Sequence, residues 1–482
     1  MLLILAFLYL FYSGTSAVPV SHVVREAITP DMNFPASQCM CPDQQRSIWD
    51  ILWSCLATIF ACTWISVHPN IPPSEEKEWK IKLRRLEVMV WAIIAPELIL
   101  LWAMKQWYIA RAMVKRYRGH RWTKTHAYFI EMGGFTLFEG GKPKRVLLLN
   151  EMEKLLENGK IDLPDITEEE IQDRSKGDGL SKALVIGQTS WFIAQCIARR
   201  AEQLILTELE LVTAAFAILN GIMYFLWWNK PLDVRRPVPV HILDQAKPVE
   251  ERFKLKTTDN YAITLWPWDA IFSLISGPLA VLASFLTWIS KIRDINSKSL
   301  QKAATATIVS PWTILWKLFS RLDDIYEPSE ELKVPGSVST VSTFYSSTSY
   351  SSSITDVEPV LSSATAIIAT VFGALHCAAW FFAFPTHIEL IIWRTCSALI
   401  SIIPLGMLLL FLTYFPGQDM RPRSTSRRLF GILWTILSIF MFSLPIYVIA
   451  RLFLLGEAFA ALRYLPPDAL AVVDWLSFLP HI

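Results

Sequence analysis

The sequence predicts an all-α polytopic membrane protein with about eight transmembrane helices, between seven and nine. A small cytoplasmic hairpin-plus-helix insertion interrupts them. Three observations carry this. Of 482 residues, 53% are hydrophobic and only 18% charged, well short of the quarter typical of soluble domains. The apolar residues are gathered into runs of ~18–25, long enough to cross ~30 Å of hydrocarbon. One such run ends in Trp227-Trp228-Asn229-Lys230, where indoles suit the headgroup level and a lysine can snorkel to water.

The N-terminus, residues 1–17, is a short apolar stretch ending in small residues. It reads as a signal peptide, with Thr15 and Ala17 at the cleavage positions, or as an uncleaved anchor because the basic flank is missing. Either directs the chain into the secretory pathway, to a membrane of the endoplasmic reticulum or the cell surface. Residues 18–49 then form a lumenal or extracellular segment holding Cys39 and Cys41.

Residues 50–107 hold the first two apolar runs. Asp50–His68 is the first span, stopped by Pro69, Pro72 and Pro73. Leu86–Trp107 is the second, with Pro96 and Glu97 at its centre. Basic residues flank this run on both sides, so a single crossing breaks the positive-inside rule at the shorter link; a re-entrant hairpin at Pro96 is the alternative. Residues 108–182 begin with the densest basic stretch and read as cytoplasmic. They predict a hairpin around Gly133-Gly134, a helix over Arg145–Asn158 and a capping box at Thr167–Glu170.

Residues 183–320 return to the membrane, with spans at Ala183–Ala198, Leu211–Trp228 and Asp269–Ser290. A second capping box sits at Thr207–Glu210, and Thr305–Phe319 is either a kinked span or an interfacial helix. Residues 230–266 form a basic, polar cytoplasmic loop. Residues 321–360 are a Ser-rich disordered linker. Residues 361–455 hold three more spans, Ser362–Phe384, Ile388–Phe415 and Leu429–Leu454. Residues 456–482 form an interfacial tail.

A near-balanced charge of +2, with no basic face interleaved with aromatics, argues against nucleic acid as a partner. The expected partners are the lipid bilayer and a small molecule or another membrane protein. No Cys/His spacing suits a metal and no hydrolase, zincin or phosphate-loop motif occurs, so neither a metal nor a cofactor is expected and no catalytic residue is assigned. The candidate site consists of polar groups inside apolar runs: Glu97, Gln188, Gln195, Asn220, His376 and Arg394. Such groups face a bundle interior or a water cavity, and a carboxylate beside a helix-breaking proline is the sharpest of them. Pairing of Glu97 with Arg394 and interhelical hydrogen bonding by the two glutamines are the structural alternatives.

The strings RSKGDGLSK, QTSWFIAQCIAR, TELELVTAAFA and YFLWWNKPLDV resemble those of a set of uncharacterised fungal multi-pass membrane proteins. The resemblance runs from Cys41 onward and is weakest in the Ser-rich part. It implies a multi-pass architecture and carries over no activity. Two functional classes follow. One is small-solute binding or transport, or membrane scaffolding. The other is a membrane-embedded enzyme, or an accessory protein, acting on a lipophilic, isoprenoid-like substrate in specialised metabolism. The absence of a second intramembrane carboxylate beside Glu97 favours the first.

Overall fold

A computed structural model describes residues 45–73, 76–117, 119–175, 179–243, 245–247, 340–347, 354–414, 443 and 446–475. The expected signal peptide, Cys39 and Cys41, and the spans expected at 269–290 and 305–319 lie outside them, as does most of 429–454.

Helix α1 (Ile48–Phe60) starts on a capping box in which Ser47 and Asp50 exchange bonds, and it ends in a π turn, Ala61–Ile65. Helices α2 (Glu78–Ile94) and α3 (Pro96–Arg116) together contain the second apolar run. They do not form one straight rod. Proline 96 has no N–H to continue the ladder and bars Ala95 from helical geometry, so Ala95 sits at φ −143° and the chain bends by 111°. The run expected over Leu86–Trp107 is thus broken at Pro96, a geometry that fits either one bent crossing or the re-entrant alternative.

Helix α4 (Lys124–Glu131) replaces the first arm of the predicted hairpin. The hairpin exists, but around the other Gly-Gly pair. Strands β1 (Phe135–Glu139) and β2 (Lys142–Val146) are joined by Gly140 and Gly141 at φ +57° and +76°, the two left-handed residues a tight turn needs. Gly133-Gly134 instead ends α4, and a Cβ on Gly134 would lie 2.4 Å from the Phe129 carbonyl oxygen. Helices α5 (Leu149–Glu157) and α6 (Glu168–Asp173) follow, α6 on its expected capping box. The 230–266 segment is not all loop. Its strand β3 (Val238–His241) pairs parallel with β1, so two separate stretches of chain build this sheet.

Helix α7 (Gly179–Ala201) leads to α8 (Glu208–Leu226), which opens on the second predicted capping box. Helices α9 (Ile354–Cys377) and α10 (His387–Tyr414) form a close pair. Gly373 makes this possible, because a Cβ there would meet the Ile400 carbonyl oxygen at 2.7 Å. Helix α11 covers residues 446–460.

The described protein is mostly helical. Four helical stretches are long and apolar enough to cross a membrane: Ile48–Ile65, Glu208–Leu226, Val360–Phe381 and His387–Leu409. The bent α2–α3 pair makes a fifth if it counts as one span. Among the described residues this is fewer than the eight expected, and α7, counted as a span from its apolar run, is not among the four. Large apolar side chains nonetheless stand outward on these helices and their neighbours, including Trp53, Phe225, Ile402 and Phe453.

The described part of the tail continues from α11 as two short 3-10 turns, Ala461–Arg463 and Pro467–Leu470, followed by a bridge from Ala471 to Gln45. Arg46 pairs with Glu210, and Arg199 donates to the carbonyls of Ala469 (3.0 Å) and Ala471 (2.7 Å), which ties the segments around Arg46 and Ala469–Ala471 to the α7–α8 turn.

Candidate functional site

The break at Pro96 places Glu97 in the first turn of α3, where the unpaired amides and the helix dipole favour a carboxylate. Its partner comes from α11. The Arg451 guanidinium lies 3.2 Å from the Glu97 carboxylate, with both side chains almost wholly buried. Arg451 also donates to the Tyr447 hydroxyl at 3.1 Å and stacks over the Phe372 ring at 4.4 Å. The Phe372 ring in turn lies 4.9 Å from that of His376.

Arg451 and His376 line a narrow cleft whose other walls are apolar, among them Val212 and Phe216 of α8, Ile400 of α10 and Leu452 and Leu455 of α11. The cleft has room for about one or two waters. The His376 Nδ1 is 2.8 Å from the Phe372 carbonyl, an acceptor, so Nδ1 carries the hydrogen and Nε2 keeps its lone pair. The cleft thus presents one cation and one imidazole to an otherwise greasy space. The Glu97 carboxylate stands behind the cation rather than on the cleft wall.

Of the six sequence candidates, Glu97 and His376 are related through Arg451, which pairs with the first and shares the cleft wall with the second. Arg394 is corrected: it is exposed and donates to the Trp380 carbonyl at 3.0 and 2.6 Å, so it does not pair with Glu97. Gln188 donates to Thr58 on α1 at 3.0 Å, the interhelical bond expected of it. Gln195 is half-buried on α7 and lines no part of the cleft. Asn220 is buried on α8, one turn beyond Phe216, with its Oδ1 unpartnered. Arg451 and Tyr447 were not anticipated. The available signal was an arginine set in the string IYVIARLFLL, apolar on both sides.

A second buried polar cluster lies further along α3. Lys230 does not snorkel to water as its Trp neighbours suggested. It is 1% exposed and turns inward, donating to the His68 carbonyl (2.6 Å), Gln106 Oε1 (2.9 Å) and Asn70 Oδ1 (3.3 Å). Its ammonium also sits over the Trp102 and Trp227 rings at 4.4 and 4.8 Å. Residues 340–347, expected to be disordered, are packed against this cluster. Asn70, Trp102 and Gln106 all donate to the Tyr345 carbonyl, and Val341 and Phe344 are fully buried.

The Ser347 amide donates to Glu131 at 2.8 Å. Burial pushes the Glu131 carboxyl up to about 7, against the opposing pull of that amide and of Lys230. Burial likewise drags the Lys230 amine well below its ordinary range, with Glu131 opposing. The folded state therefore prefers the protonated carboxyl. That contribution is complete below the ordinary carboxyl value of 4.5 and is lost as pH rises through about 7. Thermal melts at pH 5 and pH 8 are expected to show the Glu131→Gln protein losing less stability between the two than the wild type.

Fold and cleft together define a helical protein with four to five membrane-length helices and a buried ion pair beside an apolar cleft. The chain belongs to DUF8562, a family of unknown function, matching it over residues 21–251 and 338–482. The matched stretches include both polar clusters and residues 340–347. No curated protein and no solved structure matches the chain.

Proposed function

We propose that the protein is a multi-pass membrane protein that binds a small solute in the cleft beside Glu97 and Arg451, either to move it or to hold it for a membrane partner. The observation that carries this reading is the broken helix. A desolvated ion pair that only fastened α3 to α11 would need no open space beside it, yet Arg451 and His376 both line one. Ionisable groups at membrane depth, set where a helix is interrupted, are the usual makings of a solute path.

Filling the cleft tests this. Leu452 lines it yet is half-exposed, so Leu452→Trp adds bulk from the outer side without opening the core. Mass spectrometry of small molecules extracted from purified protein is expected to find a species in the wild type that is absent from a folded Leu452→Trp protein. Identical extracts would refute the reading.

One observation favours the second reading, a membrane-embedded enzyme on a lipophilic substrate. His376 places an imidazole on the cleft wall beside Arg451, a group able to act as acid or base. Turnover of the extracted molecule by wild type but not by His376→Phe protein would separate enzyme from carrier.

A further inference from the structure

We propose that the α2–α3 pair is a re-entrant hairpin. It enters the membrane from the face that carries the sheet, turns at Pro96 near mid-depth and leaves by the same face, which is the cytoplasmic one. This rests on the membrane reading above, and it means that Glu97 is carried by an element anchored on one face only.

The partners at the outer ends of the pair decide this, not the bend itself. Helices α1 and α8 run parallel and define two ends of the bundle. At one end Arg46, just before α1, pairs with Glu210 in the first turn of α8. At the other, the His68 ring, just beyond α1, lies 6.1 Å from that of Tyr224 in the last turn of α8. The sheet-bearing segment is fastened here, where the Tyr128 hydroxyl donates to the Leu226 carbonyl at 2.6 Å. Helix α2 starts at this second end: Arg85 donates to the Trp64 carbonyl at 3.1 Å, and Arg235 pairs with Glu78 at 3.1 Å. Helix α3 finishes at the same end. Gln106 Oε1 accepts from Trp227 at 3.0 Å and Lys230 at 2.9 Å, and Arg116 pairs with Glu153 of α5 at 3.1 Å. A single crossing would carry Gln106 and Arg116 to the end that holds Arg46.

The turn lies halfway between the ends. Arg451, the partner of Glu97, sits 5.9 Å from the Phe216 ring, near the middle of α8. At a rise of 1.5 Å per residue, about 15 Å of helix separates Phe216 from Leu226, Arg85 from Ala95 and Pro96 from Gln106, half of ~30 Å of hydrocarbon. Interrupted backbone at that depth must be covered by protein. Ala95, Pro96 and Glu97 are all buried, the Ala95 amide donates to the Trp91 carbonyl at 2.8 Å, and the Ala95 carbonyl accepts from Leu98 at 3.0 Å. The hairpin also removes the charge conflict read in the sequence. The basic links at 77–85 and 105–124 fall on one side, and the positive-inside rule makes that side cytoplasmic.

An impermeant maleimide applied to sealed microsomes, whose outer surface is the cytoplasmic one, tests both claims. Full-length Lys82→Cys, Lys115→Cys and Asp468→Cys proteins keep their native cysteines, and labelled peptides are identified by mass spectrometry. Lys82 and Lys115 are exposed on the two arms; Asp468 is exposed beside Ala469, whose carbonyl accepts from Arg46 at the opposite end. Label is expected on Lys82→Cys and Lys115→Cys before detergent is added and on Asp468→Cys only afterwards. Opposite reactivity of Lys82→Cys and Lys115→Cys would overturn the hairpin in favour of one bent crossing. Protection of both arms with Asp468→Cys reactive would overturn the cytoplasmic assignment. Reaction of all three before detergent would show no barrier between the ends, and the membrane reading would fall with the hairpin.

Discussion

Lys230→Met protein is expected to be less stable than wild type by about 3–5 kcal/mol, the cost of breaking a buried charge's contacts from one side. The ammonium has three hydrogens and finds three oxygens, on His68, Gln106 and Asn70. Methionine fills similar space but leaves those acceptors buried and unpaired. It also removes the cation lying between Trp102 and Trp227 and the positive charge that steadies Glu131. Because Gln106 and Asn70 also hold residues 340–347, the loss spreads to that segment. Thermal unfolding in detergent reads this directly, and a midpoint within about a degree of wild type would show that the lysine is not fastening the cluster.

Arg451→Leu protein is expected to show a loss of similar size, for a related reason. The substitution leaves the Glu97 carboxyl buried and without its partner at 3.2 Å. Neutralising both members removes the offending charge, so Glu97→Gln/Arg451→Leu protein should recover most of the loss. The non-additivity measures the coupling between α3 and α11. If the single and double variants melt together, Glu97 does not depend on Arg451, and the two do not form a buried pair.

The comparison of sequence with structure separates local signals from distant ones. The capping boxes at Thr167–Glu170 and Thr207–Glu210 were legible because donor and acceptor lie three residues apart. The helix break at Pro96 was legible for the same reason. The partner of Glu97 was not. Arg394 and Arg451 each border apolar runs, and only the packing of α11 against α3 chooses between them. The hairpin was placed one Gly-Gly pair too early. Tyr128–Met132 is rich in β-prone residues, but Thr123 caps a helix there and Gly133, at φ +83°, closes it. Composition misled twice more. Serine and threonine around residue 340 suggested disorder, yet Val341, Phe344 and Tyr345 anchor the segment in the core. A lysine beside two tryptophans suggested an interface, yet Trp227 and Lys230 turn inward and only Trp228 stays exposed.

A solute site at the Glu97–Arg451 pair requires that the pair lie at the depth of hydrocarbon, so that its charges must balance and its cleft opens on lipid. A spin label placed at Leu452, in a protein with its native cysteines replaced and reconstituted in a bilayer, reports that depth. The account predicts strong relaxation by dissolved oxygen and little by a water-soluble nickel chelate. Relaxation dominated by the chelate would put the cleft in water and contradict it.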